Sequence, residues 1–399
     1  MKKLPLFLLL LATQLVTAQS NFKVVGYLPT YRFSWLNDIE FERLTHVNIA
    51  FANPDMQGNL SFGTSTTNAV NLAHQHGCKV FACIGGGYLT QAWEDAWDTL
   101  TLPANRAAYI QKIVQFAQTQ GFDGIDVDLE WQYVKDWYSP FIIELKAALQ
   151  STDIQLTAAF PGSYRYPKVN NEALAAFDWV NMMVYDLKGP WDANNPGQHS
   201  PYSWAVQCIA YWQNQGVSAS QLTLGVPFYG YDFGVSPVAS FTYRTIVGED
   251  PANAQLDELG QKFWNGIPTI IEKTELALNN VAGIMIWEIG QDAFGANAEY
   301  SLLRAIDNVV DAAASGTKNI EPIALKTYPN PANNYLAFTA PNAGDCLLRI
   351  FDMQGNIVQQ QAIAQDANKI VSVTGLPSGI YTIMLQSEQR NLAGRFVKI

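Results

Sequence analysis

Three carboxylates recur at every second residue in Gly121-Phe122-Asp123-Gly124-Ile125-Asp126-Val127-Asp128-Leu129-Glu130-Trp131. In a strand this spacing sends Asp126, Asp128 and Glu130 to one face and Ile125, Val127 and Leu129 to the other. The apolar face and the flanking Phe122 and Trp131 argue for a buried strand and against a wet edge. Like charges crowded away from water cannot all ionise, so the set must share protons and keep at least one carboxyl protonated near neutral pH. A carboxylic acid held in that state is a general acid.

Positioning such a set requires a scaffold, and the surrounding chain repeats one pattern up to about residue 314: a short β-branched run, a loop with Gly or Pro, then a helical period. The predicted strands are 23–27, 46–51, 79–84, 124–130, 155–160, 180–185, 222–228 and 282–287, eight in all. The clearest helix covers 105–119, where Ile110, Ile113, Val114 and Ala117 form a stripe ahead of Gly121. Eight strands alternating with helices predict an α/β fold, a (β/α)8 TIM barrel with its active site at the carboxyl ends of the strands. Glu130 ends the fourth predicted strand, Tyr185 and Asp186 the sixth, and Trp287 the eighth.

Composition bounds the partners. The 399 residues carry a net charge of -11 with only 15% charged residues and no basic run, which excludes nucleic acid by charge. Aromatic residues make up 12%, compatible with a partner whose C–H faces pack on rings, as sugars do. Lys2 and Lys3, the apolar run 4–12 and the small residues Val16-Thr17-Ala18 predict a signal peptide over 1–18. No later run approaches the ~18 apolar residues of a membrane span, so export without stable membrane insertion is expected. Cys78, Cys83, Cys208 and Cys346 form neither a disulfide framework nor a metal-ligand spacing, and His46, His74, His76 and His199 are scattered. The expectation is no metal, no cofactor and a monomer.

The motif Asp123-x-x-Asp126-x-Asp128-x-Glu130 resembles in full the DxxDxDxE signature of the family 18 glycoside hydrolases. Supporting similarities lie at 79–86 (KVFACIGG), Met183-Val184-Tyr185-Asp186 followed by Gly189-Pro190-Trp191-Asp192, 224–230 (LGVPFYG) and 283–288 (GIMIWE). The resemblance implies an exported chitinase acting on chitin or N-acetylglucosamine oligosaccharides, with an endo-β-N-acetylglucosaminidase or a silent sugar-binding protein as alternatives. It implies roles as well: Glu130 as acid and base, Asp128 orienting the substrate acetamide, Asp126 exchanging a hydrogen bond with Asp128, and Tyr185 holding the acetamide carbonyl. Asp186, Trp287, Met183, Tyr229, Tyr27, Phe51, Trp131 and Asp123 complete the expected substrate-binding set. The implied reaction is the substrate-assisted exception to the two-carboxylate rule, in which the N-acetyl oxygen attacks the anomeric carbon and configuration is retained.

Four positions depart from the family pattern. Cys83 stands where Ser is usual, Gly87 where many relatives carry Trp, Trp131 where Tyr is common, and Tyr231 where Arg often follows Tyr229-Gly230. Residues 231–281 read as a loop and one helix around 252–276, leaving no space for the α+β module of deep-cleft relatives and implying an open groove. The barrel is expected over 19–311. Small residues from Ala312 to Thr317 suggest a linker over 312–325, and beyond it short strands with turns predict a small all-β sandwich over 326–399. Tyr328-Pro329-Asn330-Pro331, the run 375–381 (GLPSGIY) and the terminal Arg395-Phe396-Val397-Lys398-Ile399 resemble the sorting domain of type IX secretion substrates. That resemblance implies the type IX secretion machinery as partner and a secreted or cell-surface location.

Overall fold

Runs of β-branched and aromatic residues bounded by Gly, Pro and polar turns form eight parallel strands in the computed structural model. They are β1 (Lys23–Pro29), β2 (His46–Pro54), β3 (Lys79–Gly86), β4 (Gly124–Leu129), β5 (Gln155–Pro161), β6 (Trp179–Met183), β7 (Leu222–Pro227) and β8 (Gly283–Trp287). Each pairs with the next and β8 pairs with β1, so the sheet closes on itself as a TIM barrel. The structure describes residues 22–314, 323–325, 327–338, 346–352, 357–363, 370–386 and 391–399. The predicted leader over 1–18 and the middle of the predicted linker lie outside the described residues.

The pleat of β4 works as its sequence requires. Ile125, Val127 and Leu129 are fully buried in the layer between sheet and helices, while Asp126 and Asp128 are buried inside the barrel. The interior is built in tiers. Near the amino ends, the rings of His46, Phe81 and Trp179 pack with centroids 5.0–5.5 Å apart. Gly124 leaves the space that Phe81 occupies, since a Cβ there would lie 2.5 Å from the ring. His46 is held neutral, its pKa pushed down to about 3 by burial and by the nearby Lys79 and Lys23 charges. Above this apolar floor come the polar residues Tyr27, Cys83, Asp126, Thr157, Asn181 and Thr223, and above them the site.

The segment between β7 and β8 differs from the predicted loop and helix. Tyr229–Asp232, Ala239–Thr242, Lys262–Phe263 and Glu258–Leu259 form a four-stranded antiparallel sheet, and Tyr243–Glu249 is a short helix. The long helix is confined to Ile267–Asn280. Pro251 and Gly266 interrupt the helical period, and Gly260, at φ 63°, turns the chain between two of the strands. Asp257 accepts from Gly266 N at 2.8 Å and Thr269 Oγ1 at 2.5 Å, which fixes where the helix begins.

Contacts divide the chain into residues 1–316 and 317–399. Among its described residues the second unit is all-β: a five-stranded and a three-stranded sheet enclose an apolar core that includes Leu336, Phe338, Leu348, Ile350, Ile383 and Phe396. Cys346–Phe351 and Ile357–Ile363 pair antiparallel; Gly355-Asn356, a hairpin signal in the sequence between them, lies outside the described residues.

Asp292, after β8, anchors the last barrel helix, Leu302–Ala314. Fully enclosed, it accepts from Ser301 Oγ at 2.6 Å, Leu302 N at 2.9 Å, Leu303 N at 3.1 Å and Ala293 N at 2.8 Å. Replacing it orphans helix-start donors that have no intrahelical partner. Asp292→Ala is expected to cost about 1–3 kcal/mol in urea unfolding, and Asp292→Asn, which keeps one acceptor oxygen, distinctly less.

Candidate active site

Glu130 is the first residue beyond β4 and is reached from the interior by the same alternation that buries Asp126 and Asp128. Asp126 is held by four donors: Tyr27 OH at 2.7 Å, Thr157 Oγ1 at 2.5 Å, Asn181 Nδ2 at 3.3 Å and Cys83 Sγ at 3.4 Å. These partners, not Asp128, satisfy Asp126, so the expected hydrogen bond between the two carboxyls is absent. Asp128 Oδ1 is buried with no hydrogen-bond partner. Burial pushes the Asp128 pKa well up, and the neighbouring Glu130 and Asp126 charges push it the same way. Burial, then the Asp186 charge, raises Glu130 to about 7. The barrel thus holds a carboxylic acid poised to give and take a proton near neutrality.

Space around Glu130 is limited by Gly87. A Cβ on Gly87 would stand 2.8 Å from Glu130 Oε1, so a larger residue in this backbone conformation would compete with the acid for its place. The adjacent Tyr88 is 78% exposed.

Opposite the acid, Tyr185 is buried, its hydroxyl 3.9 Å from Met285 Sδ. The next residue, Asp186, has φ 67°, a left-handed conformation uncommon for a side chain larger than glycine. Its Oδ1 accepts from both Tyr229 OH and Tyr231 OH, the latter at 2.9 Å. Tyr231 joins the site although its sequence context marks it only as a departure from the family pattern. Its i, i+2 spacing from Tyr229 was the available signal, because alternate strand residues share a face. His199, enclosed beside Asp186, gave no local signal at all.

Trp287 forms an aromatic wall with Phe51, stacked at 6.0 Å and 25°, and Tyr27, tilted at 5.6 Å. Met183 is half-buried against the same interior cluster. Trp131 also has a left-handed backbone, φ 51°, and presents a 55% exposed indole stacked on Tyr164 and edge-on to Tyr166. Asp123 does not join the site. It precedes β4, about 20 Å along the strand from Glu130 by strand rise, and its Oδ2 accepts from Val80 N at 2.7 Å and pairs with His74 Nε2 at 2.8 Å. Its place in the motif reflects strand registration. Among the described residues no group of three His, Cys, Asp or Glu side chains is arranged to hold a metal.

A closed barrel with a raised-pKa acid, buried carboxyls and an aromatic wall at its carboxyl face is the architecture of a barrel hydrolase. Residues 23–292 match the glycosyl hydrolases family 18, and the chain belongs to that family. Residues 326–399 match the secretion system C-terminal sorting domain, which indicates export through type IX secretion to the cell surface or beyond. The structure is similar to the GH18 chitinase ChiB from the chitin utilization locus of Flavobacterium johnsoniae, with a TM-score of 0.70 and 42% identity, covering 72% of this chain and 93% of that one. Chitinase B of Serratia marcescens is 24% identical over 390 residues, covering 68% of this chain and 77% of that protein. A chitinase-like effector of Moniliophthora roreri is 27% identical over 276 residues, covering 60% of this chain; the match spans 66% of that protein's length.

The raised pKa of Glu130 has a stability consequence. Between the unfolded value of 4.5 and the folded value of about 7, the unfolded chain loses this proton while the folded chain keeps it. Glu130 therefore contributes stability fully present below pH 4.5 and lost as pH rises through about 7. Glu130→Gln carries no such loss. It should match the wild type in thermal unfolding at acidic pH and exceed it by about 1–3 kcal/mol at alkaline pH, and an equal gain at both would contradict the assignment.

Proposed function

We propose that the protein is an exported, monomeric chitinase that hydrolyses β-1,4 linkages between N-acetylglucosamine units with retention, through substrate assistance. The observation that carries the reading is Asp128 Oδ1, a buried carboxyl oxygen with no hydrogen-bond partner, two residues before the acid on the same face. An unsatisfied buried acceptor is costly, and a 2-acetamido sugar brings the N–H that would satisfy it. Glu130 protonates the glycosidic oxygen. The acetamide oxygen attacks the anomeric carbon as the leaving-group bond breaks, giving a cyclic oxazolinium ion. Asp128 Oδ1 accepts the acetamide N–H and so stabilises the positive charge spread onto that nitrogen, and Tyr185 holds the acetamide carbonyl near the reacting carbon. Glu130, now ionised, takes a proton from water, which opens the ring with a second inversion and so gives net retention. Trp287, walled by Phe51 and Tyr27, offers its face to the sugar being cleaved.

Endo-action follows from the same reading. Tyr31, Tyr88, Trp131 and Trp191, on the loops after β1, β3, β4 and β6, are each more than half exposed, so the rim supports an open groove. The additions between β7 and β8 amount to strands of two to four residues and a seven-residue helix.

Time-resolved product analysis on N-acetylglucosamine hexamer, beside a high-mannose glycoprotein, tests this. Internal cleavage with initially β-anomeric products is expected. Almost exclusive release of disaccharide from one end would overturn endo-action. Glycan release with the hexamer intact would make the protein an endo-β-N-acetylglucosaminidase, and binding without turnover a lectin-like protein. Glu130→Gln should bind hexamer yet lose about 10²–10⁴-fold in kcat, and Tyr185→Phe about 10²-fold.

A further inference from the structure

We propose that His199, braced by Ser200 and Lys273, is a positioning residue that fixes Asp186 in the geometry the catalytic acid needs. The inference rests on Glu130 acting as that acid. His199 is fully enclosed, and its two ring nitrogens have distinct partners. Nε2 lies 3.2 Å from the Tyr229 carbonyl oxygen and so donates its proton there. Nδ1 lies 3.5 Å from the backbone N of Asp186 and 3.6 Å from its Oδ1, and must be the acceptor. Burial favours the neutral ring that this tautomer requires, against the opposing pull of Asp186. The imidazole also packs on Tyr229 and Tyr231, with centroids at 5.0 and 5.1 Å. One ring therefore supports the left-handed backbone of Asp186 and both phenols that donate to its carboxylate.

The brace behind the ring is equally specific. Leu187 N donates to the His199 carbonyl at 2.9 Å, and Ser200 Oγ donates to the Val184 carbonyl at 2.5 Å. Lys273, on Ile267–Asn280 and wholly buried, donates to Ser200 O at 2.6 Å, Ser200 Oγ at 2.6 Å and Asn265 Oδ1 at 2.7 Å. Three acceptors match the three N–H bonds of an ammonium. Burial brings the Lys273 pKa down to about 7, so the ammonium is held at a cost that an apolar side chain packing the helix would avoid. What the ammonium adds is a rigid clip on His199-Ser200, which in turn spans 184–187, the segment that carries Tyr185 and Asp186.

The charged and titratable groups around this unit are few. His199 faces Asp186, Tyr229, Tyr231 and Lys273; Lys273 faces Asp257 and Cys208; Glu130 faces Asp128, Asp186, Tyr185 and Tyr166. Asp186 is thus the negative charge through which His199 acts on Glu130. Releasing Asp186 should let Glu130 lose its proton more easily.

The test is the pH profile of kcat/KM for the full chain on N-acetylglucosamine hexamer, with His199→Phe, His199→Gln and Lys273→Met. His199→Phe should lower kcat about tenfold or more with KM within about threefold, and move the alkaline limb about half a unit or more to lower pH. His199→Gln, which can still donate to the Tyr229 carbonyl, should recover part of both effects, and Lys273→Met should shift the limb in the same direction by less. An unchanged limb in folded His199→Phe overturns the proposal; should that variant not fold, unchanged limbs in the other two do so. Inactivity of the wild type would instead sink the chitinase reading. The proposal is then read from unfolding: the alkaline stability gain from Glu130→Gln must shrink beside His199→Gln or Lys273→Met, and an undiminished gain overturns it.

Discussion

Burying three carboxyls along one strand inside a closed barrel is the constraint on which the site depends. Water cannot solvate them there, so protons and hydrogen-bond donors must. The structure treats the three differently. Asp126 takes hydroxyl, thiol and amide donors from four other strands, and those donors are themselves tied together: Asn181 Nδ2 reaches Tyr27 OH at 3.1 Å, while Asn181 Oδ1 accepts from Thr223 Oγ1 and Trp179 Nε1. Asp128 takes none at Oδ1, and Glu130 stands where the strand opens to the rim. Donor support is therefore fullest at the base, at Asp126, and missing at Asp128 Oδ1 one pleat further on.

The second node, Asp186, differs in kind. Its side chain is 41% exposed, so solvent and the Tyr229 and Tyr231 hydroxyls share the work of holding its charge. Its negative charge faces Glu130 and works with burial to keep that proton in place. The left-handed backbones of Asp186 and Trp131 flank the two strand ends that supply Tyr185 and Glu130. Such conformations cost of order 1–3 kcal/mol and persist only where surrounding contacts over-determine them. Around Asp186 those contacts come from the strand Tyr229–Asp232, the His199-Ser200 loop and a helix more than 70 residues away in sequence.

The barrel was legible because each strand carries its own signal: β-branched runs of period two, closed by Gly or Pro, with helical stripes between them. The placement of the carboxyls was legible for the same reason, since Asp126, Asp128 and Glu130 lie within five residues and one pleat decides their direction. What escaped was whatever depends on distant partners. No local pattern says that Tyr231 shares an acceptor with Tyr229, that His199 lies against Asp186, or that Lys273 is buried. Asp123 failed in the opposite way: membership of the motif suggested the site, while its position before the strand sends it to the far end of the barrel. The segment between β7 and β8 was misread because strands of two to four residues are too short to register a period.

The four departures in the sequence all fall on the carboxylate system and its rim, and they act in two pairs. Cys83 places a thiol 3.4 Å from Asp126 where Ser would place a hydroxyl, a stronger donor. Tyr231 gives Asp186 a neutral phenol where Arg would give a positive charge, so the field of Asp186 on Glu130 is left uncancelled. Gly87 leaves Glu130 space that a side chain would take, and Trp131 extends an exposed ring from the residue beside the acid. The first two changes weaken support for ionised carboxyls and so favour holding a proton on the set. The last two leave the proton holder open to a large ligand at the rim. A chain altered at these positions alone would keep its barrel, because none belongs to the apolar layer between sheet and helices that closes it. Its chemistry would change through the proton affinity of Glu130, the quantity that the buried strand exists to set.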